Sequence, residues 1–119
     1  MSRKKSTEYL KNCSPKIMAI HDALDILSGK WKISILSALH HRKMRFMDLQ
    51  REVDGIAGKM LSKELKDLEV NEIIKRTLYD TKPITVEYEL TDYGMTLEKV
   101  INELARWGKL HRKRILRKR

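Results

Sequence analysis

Apolar residues recur at helical spacing along most of the chain and switch to strict alternation in one short stretch. After a polar start over residues 1–12, Ser14 suits a helix N-cap and Pro15 a first helical position. Ile17, Ile20, Leu24 and Leu27 then fall at i, i+3, i+7 and i+10, and Ser28-Gly29 supplies a stop. A second helix is predicted over residues 30–40. Its stripe is Trp31, Ile35, Ala38 and Leu39, and Ile33 and Leu36 widen it. A stripe that wide predicts a central, buried helix. Residues 40–45, from His40 to Arg45, read as a basic connector. A third helix over residues 46–53 carries Phe46, Leu49 and Val53 on one face, and Asp54-Gly55 breaks it.

The next stretch, residues 57–70, carries two opposite stripes. Leu61, Leu65 and Leu68 make an apolar face. Lys59, Ser62, Lys63 and Lys66 fall at i, i+3, i+4 and i+7 on the reverse face, with no acidic residue among them. At the usual helical rise that second stripe spans roughly 10 Å, close to the width of a DNA major groove. Read alone, it fits a solvated helix face as well as a polyanion contact. Two short helices joined by a tight glycine-containing turn, the second with a basic outer face, form the helix-turn-helix pattern.

The alternating stretch follows. Residues 73–79 read as a strand, residues 80–83 as a turn, and residues 84–91 as a second strand. In that second strand Ile84, Val86, Tyr88 and Leu90 share one side, and Thr85, Glu87, Glu89 and Thr91 the other. A hairpin with one buried and one wet face is expected. Pro83 stands at the strand start, where a missing N–H does least harm. From Asp92, capped by Thr91 or Asp92, a long helix is expected to run past Leu110. Leu97, Val100, Ile101, Leu104, Trp107 and Leu110 form its stripe. From Tyr93 to Ile115 such a helix would be roughly 34 Å long. One small domain is too short to cover it, and a second copy of the same helix is the simplest cover.

The fold class expected is mainly α with a small β-hairpin: a winged helix-turn-helix domain with a C-terminal dimerisation helix. Residues 1–12 would be a flexible basic arm, 13–110 the winged domain with its dimerisation region, and 111–119 a basic C-terminal tail. A length of 119 residues fits one such domain. Hydrophobic content of 41% with 35% charged residues fits a helix-rich protein, and no apolar run approaches membrane length. The basic start lacks the apolar segment of a secretory signal, and one cysteine excludes an internal disulfide framework. A cytoplasmic protein without a membrane partner is therefore expected.

Charge sharpens the picture. The formal net charge is +10, and it is concentrated at the ends. Residues 1–14 hold four basic and one acidic residue, net +3; residues 106–119 hold eight basic and none acidic, net +8. The body between them holds fourteen basic and fifteen acidic residues, net −1. Basic ends suit a polyanion partner, or simply keep a tail in solution. Candidate DNA contacts are Lys59, Ser62, Lys63 and Lys66, with Arg45 before the third helix, Arg76 on the wing and Lys82 at its tip. For Arg76 a cross-strand ion pair with Glu87 or Glu89 is the competing reading. Candidate interface residues between copies on the last helix are Leu97, Val100, Ile101, Leu104 and Trp107. No catalytic arrangement is visible. His21, His40, His41 and His111 are scattered, no Cys/His metal spacing occurs, and there is no glycine-rich phosphate loop. Neither an enzyme nor a cofactor or metal is expected.

Together these motifs resemble a known family. Ser28-Gly29-Lys30-Trp31, Arg45-Phe46 with Asp48-Leu49, Leu61-Ser62 and Leu65-Lys66-Asp67-Leu68-Glu69 match, as do Pro83, Val86-Glu87-Tyr88, Leu90-Thr91, Gly94 and Trp107. Over residues 13–110 the chain is similar to HxlR-type transcriptional regulators, dimeric winged-helix DNA-binding proteins related to the MarR type. The resemblance implies a homodimer on double-stranded DNA, with the recognition helix in the major groove and the wing near the backbone or minor groove, and with N- and C-terminal dimerisation helices, which adds Ile17 to the interface candidates. Two positions depart from the family pattern. Ala57-Gly58 stands where a Ser is frequent, and Asn71-Glu72 where Gly is usual, so Asn71 is expected to take the left-handed conformation.

Some members of that family sense oxidants or electrophiles through a cysteine near Cys13. A helix N-terminus with Lys11 and Lys16 close in sequence would favour a Cys13 thiolate. The rival reading of Cys13 is a small buried hydrophobe. The function expected is sequence-specific transcriptional regulation on an inverted-repeat operator, with a small molecule or oxidant as effector. A winged-helix module for protein interaction or RNA binding is the alternative.

Overall fold

A computed structural model describes residues 14–118, so Cys13 and the arm over residues 1–12 lie outside the described residues. In chain order the elements are α1 (Ser14–Leu27), α2 (Lys32–His41), β1 (Met44–Arg45), α3 (Phe46–Glu52), α4 (Gly58–Val70), β2 (Ile74–Tyr79), β3 (Thr85–Leu90), α5 (Asp92–Met95) and α6 (Leu97–Arg117). The helical spacing of the apolar positions accounts for each long helix. Ile35, Leu36 and Leu39 of α2 are buried, as expected of a central helix, together with Leu49 and Val53 at α3 and Leu61, Leu65 and Leu68 of α4. Ile35, Leu49, Leu61, Leu65, Leu68 and Ile74 are almost fully enclosed. Each such side chain contributes about 1.5–3 kcal/mol through burial.

The sheet departs from the expected hairpin. It has three antiparallel strands in the order β1-β3-β2, so β3 is central. Met44 pairs with Tyr88 and Arg45 with Glu87, within what was expected to be a connector. Buried Met44 draws that stretch onto the core and makes it an edge strand. The expected contrast of dry and wet faces along β3 does not appear: all six of its residues are half-buried. A middle strand has neighbours on both edges, and their side chains shade its outer face. Ile84 is exposed, because the turn before β3 projects beyond the core.

The long last helix is also interrupted. Thr91 caps α5, accepting from the Gly94 N–H at 2.9 Å. At Thr96 the backbone N–H and the hydroxyl both donate to the Tyr93 carbonyl, at 3.1 and 2.6 Å, and α6 starts afresh at Leu97. The segment over residues 111–119, expected as a tail, is helical as far as Arg117. Leu, Lys and Arg are good helix formers, and the segment continues an existing helix without a new nucleus. The left-handed residue after α4 is Glu72, with φ 63°, rather than Asn71, with φ −86°. Asn71 instead closes α4, its side-chain amide donating to the Asp67 carbonyl at 2.8 Å. No helix among the described residues is long and apolar enough to cross a membrane.

Candidate nucleic-acid interface

Helices α3 and α4 are joined by Val53 to Ala57. Gly55 takes φ 83° in this turn, a conformation that costs an L-residue roughly 1–2 kcal/mol. Val53 and Ile56 point inward, and the Gln50 side chain donates to the Ile56 carbonyl at 3.2 Å, which ties α3 to the turn. The turn thus delivers α4 at a fixed angle. Ala57 is its N-cap and offers no side-chain acceptor, so no hydroxyl or carboxylate closes the first turn of α4.

With Leu61, Leu65 and Leu68 locked in the core, the reverse face of α4 is open. Lys59, Ser62, Lys63 and Lys66 are all exposed along it. They form one row of donors on a rigid helix. Two carboxylates flank the row, and sequence reading gave them no role. Glu64 is buried and Asp67 half-buried. Both meet Lys32 of α2, with Nζ 3.4 Å from Glu64 Oε2 and 3.7 Å from Asp67 Oδ2. The signals for this cluster were an acid at the inward flank of the leucine stripe and a lysine opening a helix. Sequence spacing cannot join the two, because they lie on different elements.

The wing stands beside this helix pair. Arg76 and Lys82 are exposed, Lys82 in the turn between β2 and β3. That turn is braced by Thr81, whose hydroxyl donates to the Pro83 carbonyl at 2.8 Å and lies 3.3 Å from the Thr85 hydroxyl. The register sets Tyr88 opposite Arg76 and Glu89 opposite Lys75. Among the described residues Arg76 forms no ion pair, so the competing cross-strand pairing is absent. Arg45 is exposed and lies across from Glu87. In the same region Tyr79, followed by Glu87, raises the pKa of exposed Lys43 above the ordinary lysine value.

Helices α1 and α6 leave a set of apolar side chains uncovered. Leu97 and Ile101 of α6 pack against the domain core. Val100, Leu104, Trp107 and Leu110 do not, and Trp107 is 65% exposed. On α1 only Leu27 is buried; Ile17 is half-buried, and Met18, Ile20 and Leu24 are exposed. The Trp107 indole lies stacked on the His111 ring, with centroids 4.9 Å apart.

A helix-turn-helix with its second helix presented outward, followed by a β-wing, defines a winged helix-turn-helix protein. The HxlR-like helix-turn-helix family model matches residues 26–115, and the chain belongs to that family. It is 39% identical over 98 residues to YtcD, an HTH-type transcriptional regulator of Bacillus subtilis, across 82% of this chain and 78% of the relative. Among solved structures it is similar to a MarR-family regulator from Enterococcus faecalis V583. That likeness has a TM-score of 0.79 at 31% identity and covers 87% of this chain and 94% of the other. It is also similar to the redox regulator HypR in its reduced form, with a TM-score of 0.76 at 33% identity, over 85% of this chain and 99% of HypR.

Proposed function

We propose that this protein is a sequence-specific DNA-binding transcriptional regulator that acts as a homodimer on an inverted-repeat operator. The observation that carries this reading is the row Lys59, Ser62, Lys63 and Lys66, exposed on a helix whose opposite face is fixed in the core. Base edges and phosphates need donors held in place, and α4 supplies them at major-groove dimensions. Arg45, Arg76 and Lys82 are the flanking contacts, suited to the phosphate backbone. Family membership supports the reading, since the relatives carry the name of HTH-type transcriptional regulators.

The homodimer rests on the uncovered apolar face. Val100, Leu104 and Trp107 of α6, with Ile17 and its neighbours on α1, meet the same face of a second copy, while Leu97 and Ile101 serve the core. A two-fold axis through that contact sets two α4 helices facing successive major grooves. The test is selection of duplexes from a random pool by the purified protein. The expected product is an inverted repeat with half-site centres about 10 base pairs apart. Recovery of unrelated sequences with no repeat would overturn the reading.

We also propose that Cys13 confers a response to oxidants. Support comes from HypR, a redox regulator by description, and from the position of Cys13 one residue before α1. Affinity for the selected duplex, measured with and without mild oxidant, should change in wild type and stay constant in Cys13→Ser. Equal behaviour of the two proteins would make Cys13 structural.

A further inference from the structure

Lys32 opens α2, where a cation works against the helix dipole and where no acidic residue stands in the first turn. Its own helix therefore gives no reason for a lysine there. The reason lies across the interface: the Lys32 side chain is 14% exposed, and its ammonium lies within 4 Å of carboxylate oxygens of both Glu64 and Asp67 on α4. We propose that Lys32 is a positioning residue for DNA binding, holding Asp67 back so that Lys63 stays free to donate to DNA. This rests on the DNA-binding reading above.

The argument comes from the helix surface. Lys63 and Asp67 are i and i+4 on α4, the spacing at which opposite charges pair. A local ion pair there, although Lys before Asp is the weaker of the two orders, would turn a DNA donor into a neutralised one. That pair is absent here. Asp67 is instead engaged by Lys32, and among the described residues Lys63 forms no ion pair. Glu64 is buried at the inward edge of α4, and its contact with Lys32 brings the ammonium within reach of Asp67 one turn further along. The arrangement thus does two things. It pins the rotation of α4 about its axis through a charged contact to α2, and it keeps one carboxylate off the lysine row.

The experiment compares four full-length proteins: wild type, Lys32→Met with Glu64→Leu, that double variant with added Asp67→Asn, and Lys63→Ala. The double variant removes the buried pair without stranding a charge, so the fold survives. Affinity for a random-sequence duplex is followed against salt. The double variant should lose steepness in log K against log salt by about 0.9 per bound chain, one phosphate contact, as Lys63→Ala does. Adding Asp67→Asn should restore the wild-type slope, because Lys63 then has no local partner. A purely structural role for Lys32 would not be rescued by removing a charge at Asp67. An unchanged slope in the double variant, or no rescue by Asp67→Asn, overturns the proposal.

A second readout uses no DNA. A double-mutant cycle in urea unfolding should show coupling of Lys63 to Asp67 only in the Lys32→Met/Glu64→Leu background. If wild type binds no duplex, the function proposed above fails and Lys32 has no DNA role. The cycle then still shows whether Lys32 keeps Asp67 and Lys63 apart.

Discussion

Gly94 of α5 packs against the backbone of Ile73, the residue just before β2. A Cβ placed there would lie 2.1 Å from the Ile73 carbonyl oxygen, which is backbone and has no room to yield. The same carbonyl accepts from the Thr91 N–H at 3.0 Å, so any retreat also strains the junction of wing and α5. Gly94→Ala should therefore destabilise by about 3 kcal/mol, at the upper end of overpacking costs. Thermal or urea unfolding reads the loss directly, and a change below about 0.5 kcal/mol would mean that α5 shifts freely. The Thr91 hydroxyl adds to the junction. It donates to the Glu72 carbonyl at 2.7 Å and accepts from Gly94, so one side chain joins the end of α4, the start of β2 and the cap of α5. Glu72 in its left-handed conformation is the cost of that tight exit from α4.

At the scale of elements, α4 matters most and its N-terminus is its weakest feature. Ala57 already has the extended backbone of an N-cap, with φ −75° and ψ 148°, and lacks only the acceptor. Ala57→Ser should raise stability by about 1 kcal/mol through a bond to a first-turn N–H. A lower melting temperature for that variant would show the first turn to be held by something else. The two stripes of α4 were legible in the sequence because both are local: leucines at one phase, lysines at the other. The same holds for α2, α3 and the β2–β3 wing, each carried by its own period. Strand β1 was not legible, since two residues inside a basic stretch have no period, and only pairing with β3 makes Met44-Arg45 a strand. The even half-burial of β3 follows from its central place, which alternation cannot report. The break at Thr96 rests on a backbone and a side-chain hydrogen bond to one carbonyl, and the Lys32–Glu64–Asp67 cluster joins residues more than thirty positions apart. Lysine positions of the candidate site were readable; the charge balance around them was not.

The whole molecule is drawn out by α6. Its radius of gyration is 17.9 Å, against about 13.5 Å for a compact chain of this length. No residue of this 21-residue helix is buried, though it carries Val100, Leu104, Trp107 and Leu110 on one side. Large exposed apolar surfaces mark sites of association. Sedimentation at micromolar concentration should give a dimer for wild type and a monomer for Leu104→Glu with Trp107→Glu. Both side chains are more than half exposed in the single chain, so the variant should still fold. A wild-type monomer, or a dimer undisturbed by the two glutamates, would move the interface elsewhere. The basic residues of the α6 end are exposed beside that face, and a long-range attraction for DNA that salt screens is the expected consequence.

The central claim is that the lysine face of α4 reads DNA, and Lys63→Ala on the selected duplex tests it most directly. Titration of wild type and variant against that duplex and against random DNA, at one fixed salt concentration, gives the answer. The expected result is a loss of about 1–3 kcal/mol on the selected duplex, where Lys63 reads a base, and a smaller loss on random DNA, where it meets only a phosphate. An equal loss on both would assign Lys63 to phosphate and leave α4 at the interface. Unchanged affinity on both duplexes would contradict the account, because it would take this face of α4 out of the complex.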